Sequence, residues 1–433
     1  MPGMNTGLEG IRRRFDTSTF DQHFLSNGVS VWMQDKQAIK IHDMGIVVAC
    51  FPRVGSIQDP KGQEGVAHIR EHISFRGTTH MPDTDSILNP LEEEVALWNG
   101  GTGPYFTQYY VILPRDQMEM ATETTFEFVA CPLIREKDVI LERGLIANEY
   151  KNNVEGIGKK WSDLHCRQAV FGQHPYVHNP MGYPESIEKM TAEMLRNFQE
   201  AHYHVNNLQI ICGGAFSERA DALHTLDKKF GSLPRSNQVV ATIPSIPIPQ
   251  KQVIELSNPS YGTDRIVFTW RMERPPDDRG KNAFKLLADV LSGRLNSPLI
   301  ANLRLKLGIL YRSGLSSFTQ EPNAWIFEVN IPVESKHFAT AEEALFECLV
   351  ELKEAEILKG QRICQKQRLS ALGFLDAITV CAMYTTNELI CHGRPVGYHE
   401  TESDQDDVEL GEVFDCRDFL LSADRVIGKI RVK

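Results

Sequence analysis

Four prolines fall between Ser232 and Gln250, at Pro234, Pro244, Pro247 and Pro249, in a stretch richer in Ser and Pro than its surroundings. Each removes a backbone donor and fixes φ, so the segment cannot run on as a helix or a central strand. It reads as a linker, and it divides the 433 residues into halves of similar size. With a domain usually about 100–200 residues long, the expected organisation is a domain over 1–232, a linker over 233–250, and a second domain over 251–433.

Each half mixes strand-like and helix-like patterns in a comparable order. In the first, Gly28 to Met33 alternates as a strand after a turn, and Gly45 to Phe51 is a continuous apolar run suited to a strand buried on both faces. A helix is expected from about Glu64 onward, then a strand over Tyr109 to Leu113 ended by Pro114, then helices over Asp116–Phe128 and Glu136–Asn152. Leu208 to Cys212 reads as a late strand closed by Gly213-Gly214. The second half has strands over Arg265–Trp270 and Trp325–Ile331 around a helix from Asn282 to Leu291. A duplicated α+β domain accounts for this order, with only faint residue identity between the halves.

Composition narrows the function. The net charge is -11, with 42% hydrophobic and 24% charged residues and no long basic run. A phosphate-binding surface needs clustered Lys and Arg, so nucleic acid is not the expected partner. The nine cysteines are scattered and form no Cys-x-x-Cys, which points to a reducing compartment rather than a disulfide framework. Arg12-Arg13-Arg14 is followed by no apolar signal core, and no stretch approaches the roughly 18 apolar residues that span a bilayer. The expectation is a cytoplasmic protein without a membrane partner.

The chemistry concentrates in His68-Ile69-Arg70-Glu71-His72. On a helix, histidines four apart project from one face and reach one metal, and neutral imidazole is a good zinc ligand. Glu71 stands on the same side, placed to take a proton from a water near the metal without binding it. Zinc needs a third protein ligand. Glu149, on the expected helix ending at Asn152, is the choice, with His80, His165, His174, His178, His202 and His204 as rival ligands. Glu142 lies two helical turns before Glu149 and can orient a ligating His from behind. The competing reading of the motif is a solvated helix face with Glu71 paired to Arg70 or His72.

The run Val54-Gly55-Ser56, Asp59, Gly65-Val66-Ala67-His68, Glu71-His72, Phe75 and Gly77-Thr78 resembles the signature of the pitrilysin (M16) family of inverted zinc peptidases. The 77 residues from His72 to Glu149 and the Glu142-Arg143 pair are similar to that family's spacing. So are His174-Pro175-Tyr176, Gly182, Phe198, Tyr203 and Asn207 at the end of the first half, and Leu303-Arg304, Gly308 and Tyr311 in the second. The resemblance spans nearly the whole chain and fits the short two-domain, dimer-forming branch, like processing-peptidase-like bacterial peptidases.

That resemblance implies two similar domains, each a mostly antiparallel sheet with helices packed on it. It implies one Zn2+ per chain on His68, His72 and Glu149, with Glu71 as general base and Glu142 behind a ligand. Arg304 and Tyr311 would contact substrate and the developing oxyanion. Asn99 would lie beside a peptide bound as an added strand, although the family's Asn-Ala is here Asn99-Gly100. The implied function is a zinc metalloendopeptidase acting on unfolded or presequence-like peptides in a chamber formed by paired subunits, a homodimer or a heterodimer with a related chain. The alternative is a non-catalytic core or binding subunit. The complete metal set, and the lack of the glycine-rich loop of the non-catalytic partner, favour a catalytic one.

Overall fold

A computed structural model of the chain describes residues 20–34, 45–114, 117–152, 164–214, 218–240, 242–257, 262–275, 280–310, 315–371 and 408–432. The first sheet has six strands: β1 (Phe20–Phe24), β2 (Ser30–Gln34), β3 (Gly45–Pro52), β4 (Leu97–Thr102), β5 (Thr107–Pro114) and β6 (Leu208–Gly214). Their order is β1-β2-β6-β3-β5-β4, antiparallel throughout except between β2 and β6. The second sheet comprises β7 (Gln252–Ser257), β8 (Arg265–Glu273), β9 (Ser316–Glu321), β10 (Ala324–Pro332) and β11 (Val426–Arg431), in the order β7-β11-β8-β10-β9. Only β7 and β11 pair in parallel there.

Without β1, the first order maps onto the second strand for strand. In both, a first strand lies parallel to the last, and an antiparallel hairpin ends at the far edge. The two α+β units thus share one topology, although few residue identities betray it.

All eight residues of β3 are buried, and the reason is visible in their alternation. Ile46, Val48 and Cys50 enter one apolar cluster with Val111, Phe128 and Leu226. Val47, Ala49 and Phe51 enter another with Trp32, Ile112 and Ile211. A strand covered on both faces has no polar face to show, hence its unbroken apolar run. In the second unit Phe268, Trp270 and Phe327 pack against residues of helices Lys281–Ser292, Phe338–Val350 and Leu410–Ser422. The Trp270 indole donates to the Leu420 carbonyl at 3.0 Å. No helix among the described residues is long and apolar enough to cross a membrane.

One boundary differs from the sequence expectation. The chain divides into one unit containing the described residues of Met1–Tyr150 and His178–Thr242, and a second containing those of Lys151–Val177, Ile243–Phe374 and Thr401–Lys433. The divide at 242/243 falls within the expected linker, but the described residues of 151–177, expected in the first domain, belong with the second. Helix Leu164–Phe171 packs against β7 and β11. His174 Nε2 meets the Pro244 carbonyl at 3.0 Å, and the Tyr176 hydroxyl donates to Glu321 at 2.6 Å. A short helix carries no local mark of which core it will join, so linker reasoning places it by sequence adjacency alone.

Candidate metal centre

The motif occupies helix α1 (Val66–Ile73), and its start is fixed by a close backbone crossing. Gly65 has φ +99°, and a Cβ there would stand 2.8 Å from the Met181 carbonyl oxygen. Only glycine meets both conditions without strain. The Asp59 carboxylate accepts from the Gly65 N–H at 2.6 Å and the Ala67 N–H at 3.1 Å. It thereby caps orphan donors at the end where the helix dipole favours a negative charge. Val66, Ala67, Ile69 and Ile73 enter a buried cluster with Val139, Ile146, Leu195 and Phe198. Val139 and Ile146 belong to α2 (Glu136–Tyr150), and Leu195 and Phe198 to α3 (Ala192–His202).

With that face buried, His68, Glu71 and His72 converge with α2. His68 Nε2 lies 3.8 Å from Glu149 Oε2, and His72 Nε2 lies 3.6 Å from the same oxygen. One ligand atom from each of the three residues falls within 4.8 Å of the others. Ligands held at about 2.0–2.1 Å around a tetrahedral zinc stand about 3.3–3.4 Å apart, so both His–Glu separations are within about half an ångström of that arrangement. The donor set of two imidazoles and a carboxylate suits zinc and leaves a fourth position open.

The electrostatics agree. Burial, and then the neighbouring His72, hold His68 down to about 3, so it is neutral at pH 7 and offers a lone pair. Burial also pulls His72 down. The hydrogen bond to Glu142 and the charges of Glu71, Glu142 and Glu149 outweigh it, and its net shift is upward. Behind it, His72 Nδ1 and Glu142 Oε2 are 2.8 Å apart, and the other Glu142 oxygen accepts from Arg76 Nε. Glu142 is thus bonded to the ring nitrogen that faces away from the cluster. Burial tends to raise Glu142, but His72 and Arg76 together hold it below the usual carboxylate range.

Glu71 lies beside the three and not among them. Its Oε2 is 4.0 Å from His68 Nε2 and accepts from the Thr102 hydroxyl at 3.2 Å. Thr102 is on β4, the edge strand of the first sheet, which runs beside α1. Phe75 and Trp98 rings meet at 5.1 Å there, and a Cβ on Gly100 would fall 2.4 Å from Glu71 Oε1. Burial raises the Glu71 carboxyl to about 7, against the opposing pull of His72 and Thr102.

Arg70 rules out the solvated-face reading of the motif. It is fully buried. Its guanidinium donates to Gln199, Ser74, the Tyr109 hydroxyl at 3.0 Å, and the Phe128 and Val129 carbonyls at 3.3 and 2.8 Å. It stands 4.1 Å from the Tyr203 ring centre. Phe128 and Val129 are in the last turn of helix Met118–Ala130, so the negative helix end meets the buried cation.

The rival histidines are placed elsewhere. His80 pairs with Glu127 at 2.7 Å, His178 with Asp59 at 3.5 Å, and His174 lies in the second unit. His202 packs on Phe198, and His204 Nδ1 is buried without a hydrogen-bond partner among the described residues. The His165 side chain lies outside the described residues. Asn99 is exposed on β4, its Oδ1 accepting from the Gly100 N–H at 2.9 Å. Arg304 sits on a π-helical turn, Ala301–Lys306, in the second unit, anchored by the fully buried Leu303. Tyr311 lies outside the described residues. Sequence reasoning missed Thr102, Arg76 and the Asp59 cap. Thr102 is 31 positions from Glu71, and the carboxylate that Arg76 contacts, Glu142, is 66 positions from it.

Comparison with known proteins bears on the family and the fold. The family model described as Insulinase (Peptidase family M16) matches residues 34–175, and that described as Peptidase M16 inactive domain matches 189–360. A zinc protease PQQL-like from Arabidopsis thaliana is 27% identical over 240 residues, 54% of this chain and 24% of that protein. Protease 3 of Escherichia coli K12 is 25% identical over 239 residues, 53% of this chain and 24% of that protein. The match thus spans about a quarter of these curated relatives' length. A solved protease from Helicobacter pylori superposes with a TM-score of 0.80 at 17% identity, covering 96% of this chain and 100% of that one. A structure from Pseudomonas fluorescens described as a peptidase M16 inactive domain gives 0.79 at 18%, covering 96% and 98%.

Proposed function

For a chain that belongs to the M16 peptidase family, we propose the function of a zinc-dependent metalloendopeptidase that hydrolyses unfolded or presequence-like peptides. The observation that carries this reading is the convergence of His68, His72 and Glu149, with a separately held buried carboxyl, Glu71, beside them. The match to an inactive-domain model covers 189–360 and includes none of these four residues, so it does not weigh against a catalytic first half.

His68 and His72 would hold zinc through Nε2, and Glu149 through a carboxylate oxygen. Zinc there would polarise a scissile carbonyl and acidify a water. Glu71 would accept the proton from the attacking water and return it to the leaving amine. Thr102 fixes one Glu71 oxygen, so the base presents the same face through both transfers. Glu142 holds Nδ1 of His72 and thereby the direction of its Nε2.

β4 is the edge strand of the first sheet and runs next to Glu71, so an extended peptide would add there as a further strand alongside Asn99. That mode draws affinity from backbone hydrogen bonds and favours unfolded over folded substrates. By the family resemblance Arg304 and Tyr311 would contact the substrate, and a second subunit, identical or related, would complete a chamber.

An unstructured peptide pool tests the reading. Cleavage that stops on adding a zinc chelator and returns with zinc supports it. Turnover untouched by chelation would contradict the zinc reading, and no turnover with zinc bound would leave the chain as a binding subunit.

A further inference from the structure

Arg76 lies just past the end of α1, three residues beyond Ile73. Its backbone is held: the Arg76 carbonyl accepts from Arg135 Nη2 at 2.9 Å, and Arg135 Nη1 also donates to the Pro82 carbonyl at 2.8 Å. Its side chain reaches back under the motif helix and donates through Nε to Glu142 Oε1. The other Glu142 oxygen takes the His72 contact at 2.8 Å. The carboxylate is thus divided, one oxygen to each partner. The Glu142 side chain is only 3% exposed, against 25% for Arg76 and 27% for His72.

A buried carboxylate with one oxygen undonated is costly, and it relieves that cost by rotating toward any other donor. Arg76 removes that freedom. With Oε1 fixed, Oε2 has one direction, and His72 Nδ1 must lie along it. His72 Nε2 then points toward His68 and Glu149 instead of sampling other ring orientations.

We infer that Arg76 is a positioning residue for the metal centre, acting through Glu142 to aim His72 at the ion. It touches neither the ligand cluster nor a reacting atom. This inference rests on the zinc reading above. A merely structural role, tying the end of α1 to α2, would alter the melting of the metal-free protein and leave metal affinity alone.

The test measures zinc affinity of the full chain by competition with a chromophoric chelator, at fixed pH, with circular dichroism confirming that each variant is folded. Arg76→Gln should weaken zinc binding about ten- to a hundredfold, as outer partners of ligating histidines do elsewhere. Glu142→Gln should weaken it by a similar factor, and the double variant no more than Glu142→Gln alone, because both act along one path. Arg76→Lys should recover part of the loss. Arg76→Gln binding zinc within about twofold of the parent would overturn the inference. So would a double variant losing the product of the two single effects. Should the parent itself bind no zinc, the zinc reading fails and not only the role of Arg76.

Discussion

A carboxyl group buried beside two imidazoles is held at the wrong pH for an ordinary glutamate. Glu71 rises from 4.5 to about 7, chiefly through burial. In metal-free protein the folded state therefore keeps its proton more tightly than the unfolded chain. That contribution to stability is fully present below about pH 4.5 and is lost as pH rises through about 7. At about 1.4 kcal/mol per pH unit it amounts to about 3 kcal/mol. Metal-free Glu71→Gln should accordingly exceed the parent in urea stability at pH 8 by up to that amount, with the gap closing toward pH 4.5. Equal pH profiles for the two proteins would contradict the burial argument. Arg70 makes the opposite case: its donors are matched by five oxygen atoms. Arg70→Met strands those acceptors and should lower stability by about 3 kcal/mol or more in the same measurement. His68, Glu71 and His72 were legible as a group because helical spacing declares which side chains share a face; Glu149, on a separate helix, was singled out through the family resemblance instead. Thr102 and Arg76 were not legible, because each serves a residue brought near only by tertiary packing: Thr102 is 31 positions from Glu71, and Arg76 is 66 from Glu142.

At the scale of elements, α1 matters through its two ends. Its N-terminus depends on Gly65 and the Asp59 cap, and its flank on the edge strand β4. Gly65→Ala would require a left-handed backbone for alanine and press a methyl on the Met181 carbonyl. The expected cost is about 2 kcal/mol or more, read as a lowered melting temperature together with weaker zinc retention, since the whole helix shifts. Unchanged melting would refute this view of the crossing. β3 and β8 were readable from their apolar runs, and α2 from a stretch free of Pro and holding one Gly. The start of α1 was expected near Glu64 and lies at Val66, a displacement of two residues set by the glycine crossing, which involves Gly182 far along the chain.

Across the whole molecule, two units with one strand order share a single chain, and the linker prolines mark where the second sheet begins. The return of the described residues of 151–177 to the second unit had no local signal, because the partners of His174 and Tyr176, Pro244 and Glu321, are distant in sequence. Tyr176→Phe should remove a buried hydrogen bond worth about 1–2 kcal/mol. Hydrogen exchange should then quicken in β9 and β10 while β3 and β5 are unaffected; equal quickening in both sheets would contradict the assignment of this segment.

The central claim joins these scales: two histidines and Glu149 would hold the metal, and Glu71 would do the proton transfer without holding it. Its most direct test is Glu71→Gln, with zinc content and peptide turnover measured on the same preparation. The account predicts about one zinc per chain, as in the parent, with turnover reduced by about a hundredfold or more. Loss of zinc in this variant, or turnover equal to the parent's, would contradict it.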